Sequence, residues 1–170
     1  SGVFRIFELD SNNLQQTFTL RGLTVQRGLA PVGGGILIGF QDHCVFEHLA
    51  ERDNIATSGA GGIWMGDEGT CSMDHVVVQD NLAEGFSGAG GVRVSSGTTA
   101  TITNSTISGN LAPKSSGGGI LVGGFSVPTS LTIVQSTISG NVAAGGGGGI
   151  ISIGSFATNV VRACTIVRNR

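Results

Sequence analysis

TISGNLAPKSSGGGI, residues Thr106–Ile120, decides the fold. It runs from an apolar residue through Ser-Gly-Asn-Leu-Ala and a small-residue turn to three glycines and isoleucine. The same phrase returns as VQRGLAPVGGGI (Val25–Ile36), ERDNIATSGAGGI (Glu51–Ile63), VQDNLAEGFSGAGGV (Val78–Val92) and ISGNVAAGGGGGI (Ile138–Ile150), and begins again at Ile166. Aligned on one position, the repeats give Gly28, Asn54, Asn81, Asn110, Asn141 and Asn169, spaced by 26, 27, 29, 31 and 28 residues. Self-similarity at such a period marks a solenoid. The 30 glycines and the many β-branched residues oppose helical repeats, and the leucine lattice of leucine-rich repeats is absent. A parallel β-helix remains.

Counting back from each anchor places the strands. Ten residues before lie Phe18, Cys44, Cys71, Ala100, Leu131 and Asn159, and eight before lie Leu20, Phe46, Met73, Ile102, Ile133 and Val161. Five before lie Leu23, Leu49, Val76, Ser105, Ser136 and Cys164; three before lie Val25, Glu51, Val78, Ile107, Ile138 and Ile166. The two-residue alternation makes these the inward sides of two strands joined by a bend. A third strand follows the glycines, with Ile36/Ile38, Ile63/Met65, Val92/Val94 and Ile120/Val122 inward and Ile150 opening the fifth copy. Each inward residue is expected to stack on its equivalent about 4.8 Å away. The anchor ladder is structural: asparagine tolerates left-handed backbone, and its amide bonds nearby backbone or the next asparagine. The expectation is an all-β parallel β-helix of about six coils of 26–31 residues, three short strands per coil. Residues 1–170 then form one domain, with 1–16 an irregular first strand (Val3–Leu9) and turn (Asp10–Asn13) and 17–170 the coils. Apolar residues at Ile166 and Val167 in the last copy predict either a longer column or end-to-end stacking of subunits.

Composition narrows the function. Charged residues make up 12% of the chain and the net charge is −2, which excludes an electrostatic nucleic-acid binder. Aromatics are 5%, with no tyrosine, and no apolar run approaches the roughly 18 residues of a membrane-spanning helix. Cys44 and Cys71 fall at one inward position in successive coils. Two buried thiols used as small apolar residues is the preferred reading, although a disulfide is geometrically allowed. Cys164 should be free. Glu51 falls at an inward position, where an unpaired carboxylate is costly, so a local bulge turning it outward beside Arg52 is expected.

The run Val3-Phe-Arg-Ile-Phe, Thr19-Leu-Arg-Gly-Leu-Thr-Val25, Gly-Gly-Gly-Ile36 and Leu131-Thr-Ile-x-x-Ser-Thr-Ile-Ser-Gly-Asn141 resembles bacterial secreted right-handed β-helix repeat proteins of the pectate-lyase-like superfold. The pairing of Gly-Gly-x-Ile with apolar-x-x-Asn is similar to the repeats of chlamydial polymorphic outer-membrane proteins, with Ile or Val here in place of their Phe. The resemblance covers nearly the whole chain and implies a right-handed coil and an extracellular or cell-surface location. It also implies a structural or adhesive role; no cofactor is expected.

Four features could carry chemistry. Glu47-His48 and Asp74-His75 stack at one bend in adjacent coils, with Asp42 and His43 near. Paired carboxylates and bases on a β-helix face could serve a polysaccharide lyase or glycoside hydrolase. The plainer reading is a solvated bend whose charges relieve each other, and the spacing matches no zinc signature. Thr17/Thr19, Thr70/Ser72, Thr99/Thr101 and Ser130/Thr132 form outward columns of the kind ice-binding faces use, interrupted by His43/Val45; threonine is also a common outward strand residue. Asp53-Asn54 and Asp80-Asn81 repeat an acidic turn, but the calcium-binding nonapeptide is missing. The reading that follows is a surface scaffold with a carbohydrate-facing side, with end-to-end self-association or polysaccharide as partner and no metal.

Overall fold

A computed structural model describes residues 4–12 and 14–170; Val3 and Asn13 of the first strand and turn lie outside them. The described chain coils as a parallel solenoid whose ladders run coil to coil. One six-stranded sheet holds the long strands Thr17–Arg21, His43–Glu47, Thr70–Asp74, Thr99–Thr103, Thr129–Val134 and Ala157–Arg162 in chain order. After a bend, a second sheet holds Thr24–Gln26, Ala50–Arg52, Val77–Gln79, Thr106–Ser108, Thr137–Ser139 and Thr165–Val167. The strands after the glycines form another sheet, Ile36–Ile38, Ile63–Met65, Val92–Val94, Ile120–Gly123 and Ile150–Ile153, joined at its start by Phe7–Leu9. All pairings between these strands are parallel and join equivalent residues, as in Cys44↔Cys71 and Ile107↔Ile138.

Two details of the strand layout differ from the sequence-based expectation. Each coil carries a fourth strand of two residues just after the anchor: Leu29–Ala30, Ile55–Ala56, Leu82–Ala83, Leu111–Ala112 and Val142–Ala143. Two residues are too few to show alternation, so they read as part of the turn. The alternating start is not one strand either. Only Phe7–Leu9 is a strand, while Phe4 makes an isolated antiparallel bridge to Leu29.

The core is the stacked inward set. Phe46, Met73, Ile102 and Ile133 are fully buried in one column, and Val78, Ile107 and Ile138 in another. A polar ladder runs beside them. The amide N–H of Gly28, Asn54, Asn81, Asn110 and Asn141 each donates to the side-chain carbonyl of the next anchor, at 2.7–3.0 Å. Each Asn side-chain amide from Asn54 to Asn141 donates to the following Oδ1 and to a backbone carbonyl of the preceding coil, such as Asn110 to Val78 O at 3.0 Å. These buried amides are therefore satisfied. At Gly28 a Cβ would lie 2.0 Å from Gly34 O, so an asparagine cannot enter this first position without moving backbone. The left-handed residue is the one before the anchor: Arg27, Asp53, Asp80, Gly109, Gly140 and Arg168 have φ of 54–65°. The expected left-handed asparagine is thus displaced by one. The anchor needs its amide in the core, and the preceding residue makes the turn.

Cys44 and Cys71 are joined by a disulfide, with Cα atoms 4.6 Å apart across the parallel pair. This replaces the expected pair of thiols; stacking at the strand spacing brings the two Cα atoms within disulfide range. Cys164 is free.

Candidate functional site

The bend between the first two sheets is built alike in every coil. Gly22, His48, His75, Asn104, Gln135 and Ala163 occupy it with φ of 50–66°. Left-handed backbone favours Gly, Asn and His over bulky β-branched residues, which gives His48 and His75 a backbone reason to be here. Equivalent backbone in adjacent coils sets the rings side by side, centroids 4.9 Å apart and planes tilted by 33°. Both are exposed. They line a groove of about 310 Å3 with Gly22, Thr24, Ala50 and Val77.

The two carboxylates take different partners. Glu47 pairs with Arg21 across the ladder. Asp74 accepts from Thr103 Oγ1 at 2.7 Å and Asn104 Nδ2 at 2.8 Å, and its Oδ2 meets His75 Nδ1 at 2.8 Å. The hydrogen bonds from Thr103, His75 and Asn104 hold the Asp74 carboxyl far below the usual carboxylate range. A carboxylate held so low is a poor proton donor and a weak base. It serves instead to orient His75, keeping a proton on Nδ1. All four predicted residues, Glu47, His48, Asp74 and His75, are therefore neighbours, but they divide into an Arg21–Glu47 ion pair and an Asp74–His75–His48 row.

Asp42 belongs to neither. It is buried at the entry to its strand, where it accepts the Ser11 and Gln16 backbone N–H groups at 2.8 and 2.9 Å and the Ser11 hydroxyl. Burial raises its carboxyl, and the hydrogen bonds from Ser11 and Gln16 outweigh that and leave it lowered. Its place in the inward phase just before the strand was the available signal. His43 bonds Thr70 Oγ1 at 2.8 Å within the threonine columns, and with Val45 it interrupts them, as the spacing predicts. A shallow groove of about 480 Å3 lies over this stretch.

Glu51 corrects the sequence-based expectation. No bulge turns it outward: it pairs in register with Val25 and Val78 and is completely buried. The space comes from Gly35 and Gly62, where an added Cβ would fall 1.6 Å from Glu51 Oε1 and 2.7 Å from Oε2. Oε1 accepts from Asn54 Nδ2 at 2.8 Å, while Oε2 has no partner among the described residues. Burial pushes this carboxyl well above the usual range, and the amides of Asn54 and Asn81 offset only part of the effect. Burial therefore favours its protonated, uncharged form.

Sequence reasoning also missed the outer face of the strands after the glycines. Arg93 stacks over Trp64, 4.6 Å from the ring centroid, and donates to Ser87 O at 2.6 Å, so it ties loop 84–89 to that face. The pairing Trp64↔Arg93 in adjacent coils was the signal.

Residues 6–170 match a family described as the right handed beta helix region. No curated protein and no solved structure matches the chain.

Proposed function

The chain belongs to the right-handed β-helix family, and from that premise we propose that it is an extracellular scaffold, a rigid surface column with an adhesive or carbohydrate-facing role. The observation that carries this reading is the continuity of the column. Apolar stacks run from coil to coil, the anchor ladder joins Gly28 to Asn169, and both carboxylates of the candidate site are spent on structural partners. The Cys44–Cys71 bridge supports an oxidising compartment, hence secretion. Strand Thr165–Val167 pairs with Thr137–Ser139 on one side and is exposed. Its other edge suits a parallel strand from a further coil or a second copy.

A polysaccharide lyase or glycoside hydrolase is the second reading, favoured by the Asp74–His75 pair beside a groove. One assay separates the two. The protein is incubated with acidic and neutral polysaccharides, with and without calcium, and soluble products and retention on the insoluble polymer are measured. A scaffold gives no new chain ends. Products that vanish in Asp74→Asn or Glu47→Gln would overturn it in favour of the enzyme.

A further inference from the structure

We propose that His48 and His75 form a binding site for a divalent transition-metal ion of the imidazole-preferring class, Cu2+, Ni2+ or Zn2+. The argument starts from the ladder. Two histidines at the same left-handed bend position of adjacent coils are presented in parallel, with ring centroids 4.9 Å apart. A first-row ion lies about 2.0–2.1 Å from each imidazole nitrogen it binds, so one ion can bridge rings at this spacing after a modest turn of one of them. His48 is the ring free to turn, since it makes no side-chain hydrogen bond among the described residues.

His75 is already set. Its Nδ1 is bonded to Asp74 Oδ2 at 2.8 Å, and Asp74 is itself fixed through Oδ1 by Thr103 and Asn104. A ligating histidine characteristically donates its second nitrogen to a carboxylate, which fixes the tautomer and raises the basicity of the metal-binding nitrogen. The Asp74 charge beside the ring also favours a cation. Space is provided by small neighbours: Gly22 precedes His48 in the bend column, and a Cβ there would meet nothing within 4 Å. Ala50 continues the groove.

Among the described residues no set of three or more His, Cys, Asp or Glu side chains gathers to hold an ion. Solvent must therefore complete the coordination shell, leaving positions open to an external ligand. Hard cations such as Ca2+ and Mg2+, which want several oxygen ligands, are excluded by the donor set.

The test is calorimetric titration of the intact protein with CuCl2, NiCl2 and ZnCl2 at pH 7.5 in a non-coordinating buffer. One equivalent should bind, Cu2+ most tightly, following the general affinity order. His48→Gln and His75→Gln should each weaken binding at least ten-fold. Glutamine is native at this bend in the coil of Gln135, where φ is 50°, so both variants keep the backbone, and unchanged thermal unfolding without metal verifies it. Asp74→Asn should weaken binding about 10–100-fold, whereas His43→Gln should leave it unchanged. Electron paramagnetic resonance of the Cu2+ form should report two nitrogen ligands. Absence of binding for all three ions would overturn the proposal, as would binding that survives in folded His48→Gln or His75→Gln.

Discussion

Residues in a β-helix are repeated, so a residue that breaks its column is informative. Glu51 breaks a column of valine and isoleucine, and its buried carboxyl, raised by desolvation, links stability to pH. The folded-state value is raised above the unfolded one, so the contribution is fully present below the unfolded value, near 4.3. It declines as pH rises, because the unfolded chain ionises first while burial holds the folded carboxyl protonated to higher pH. Denaturant unfolding should therefore show stability falling as pH rises above the unfolded value, and Glu51→Gln should flatten that fall. A variant with the wild-type slope would mean that another group sets it. Asn110 makes the complementary case. It accepts from the Asn81 backbone and side chain and donates to Val78 O and Asn141 Oδ1. Asn110→Ala strands several buried groups at about 1–3 kcal/mol each, so a loss on the order of 3 kcal/mol in denaturant unfolding is expected. The sequence displayed both positions through the repeat spacing. What it did not display was Glu51's inward fate, because that depends on the space left by Gly35 and Gly62 one strand further on, which no local pattern reports.

Elements here are short, and their stability comes from stacking rather than from strand propensity. Thr137–Ser139 is three residues long, yet Ile138 is fully buried and paired with Ile107 on one side and Ile166 on the other. Ile138→Ala should cost on the order of 2–5 kcal/mol, measurable by urea unfolding; a cost below 1 kcal/mol would mean the coils relax to fill the gap. Three of the four strands per coil were legible, because five alternating residues or an apolar pair after glycines leave a period. The Leu-Ala strand left none. The variable turns were legible as loops, but their contact with the outer face was not. Gly59 shows why: a Cβ there would fall 2.6 Å from the Trp64 ring, a packing between loop and sheet that appears only once Trp64 is known to point outward. The histidine bend follows the same logic, since the sequence showed two stacked acid–His pairs and the left-handed backbone explains the position of the histidines.

At the scale of the whole molecule the chain is quasi-one-dimensional, each coil touching only its neighbours. The Cys44–Cys71 bridge crosses one such interface and closes 27 residues of chain. A loop of that length removes enough unfolded-state entropy to contribute about 3.5 kcal/mol in the chain-entropy account. The double variant Cys44→Ala/Cys71→Ala tests where that stability acts, and alanine already occupies the same inward position at Ala100 in the next coil. If coils open locally, the loss is confined near the bridge. Amide exchange should quicken at Val45, Phe46 and Ser72, all in the two bridged strands, while Ile107 and Ile138 keep their wild-type protection. A uniform acceleration through Ile138 would give the opposite answer: the apolar stacks and the asparagine ladder would then bind all coils into one cooperative unit. The bridge would act on the column as a whole rather than on the interface it spans.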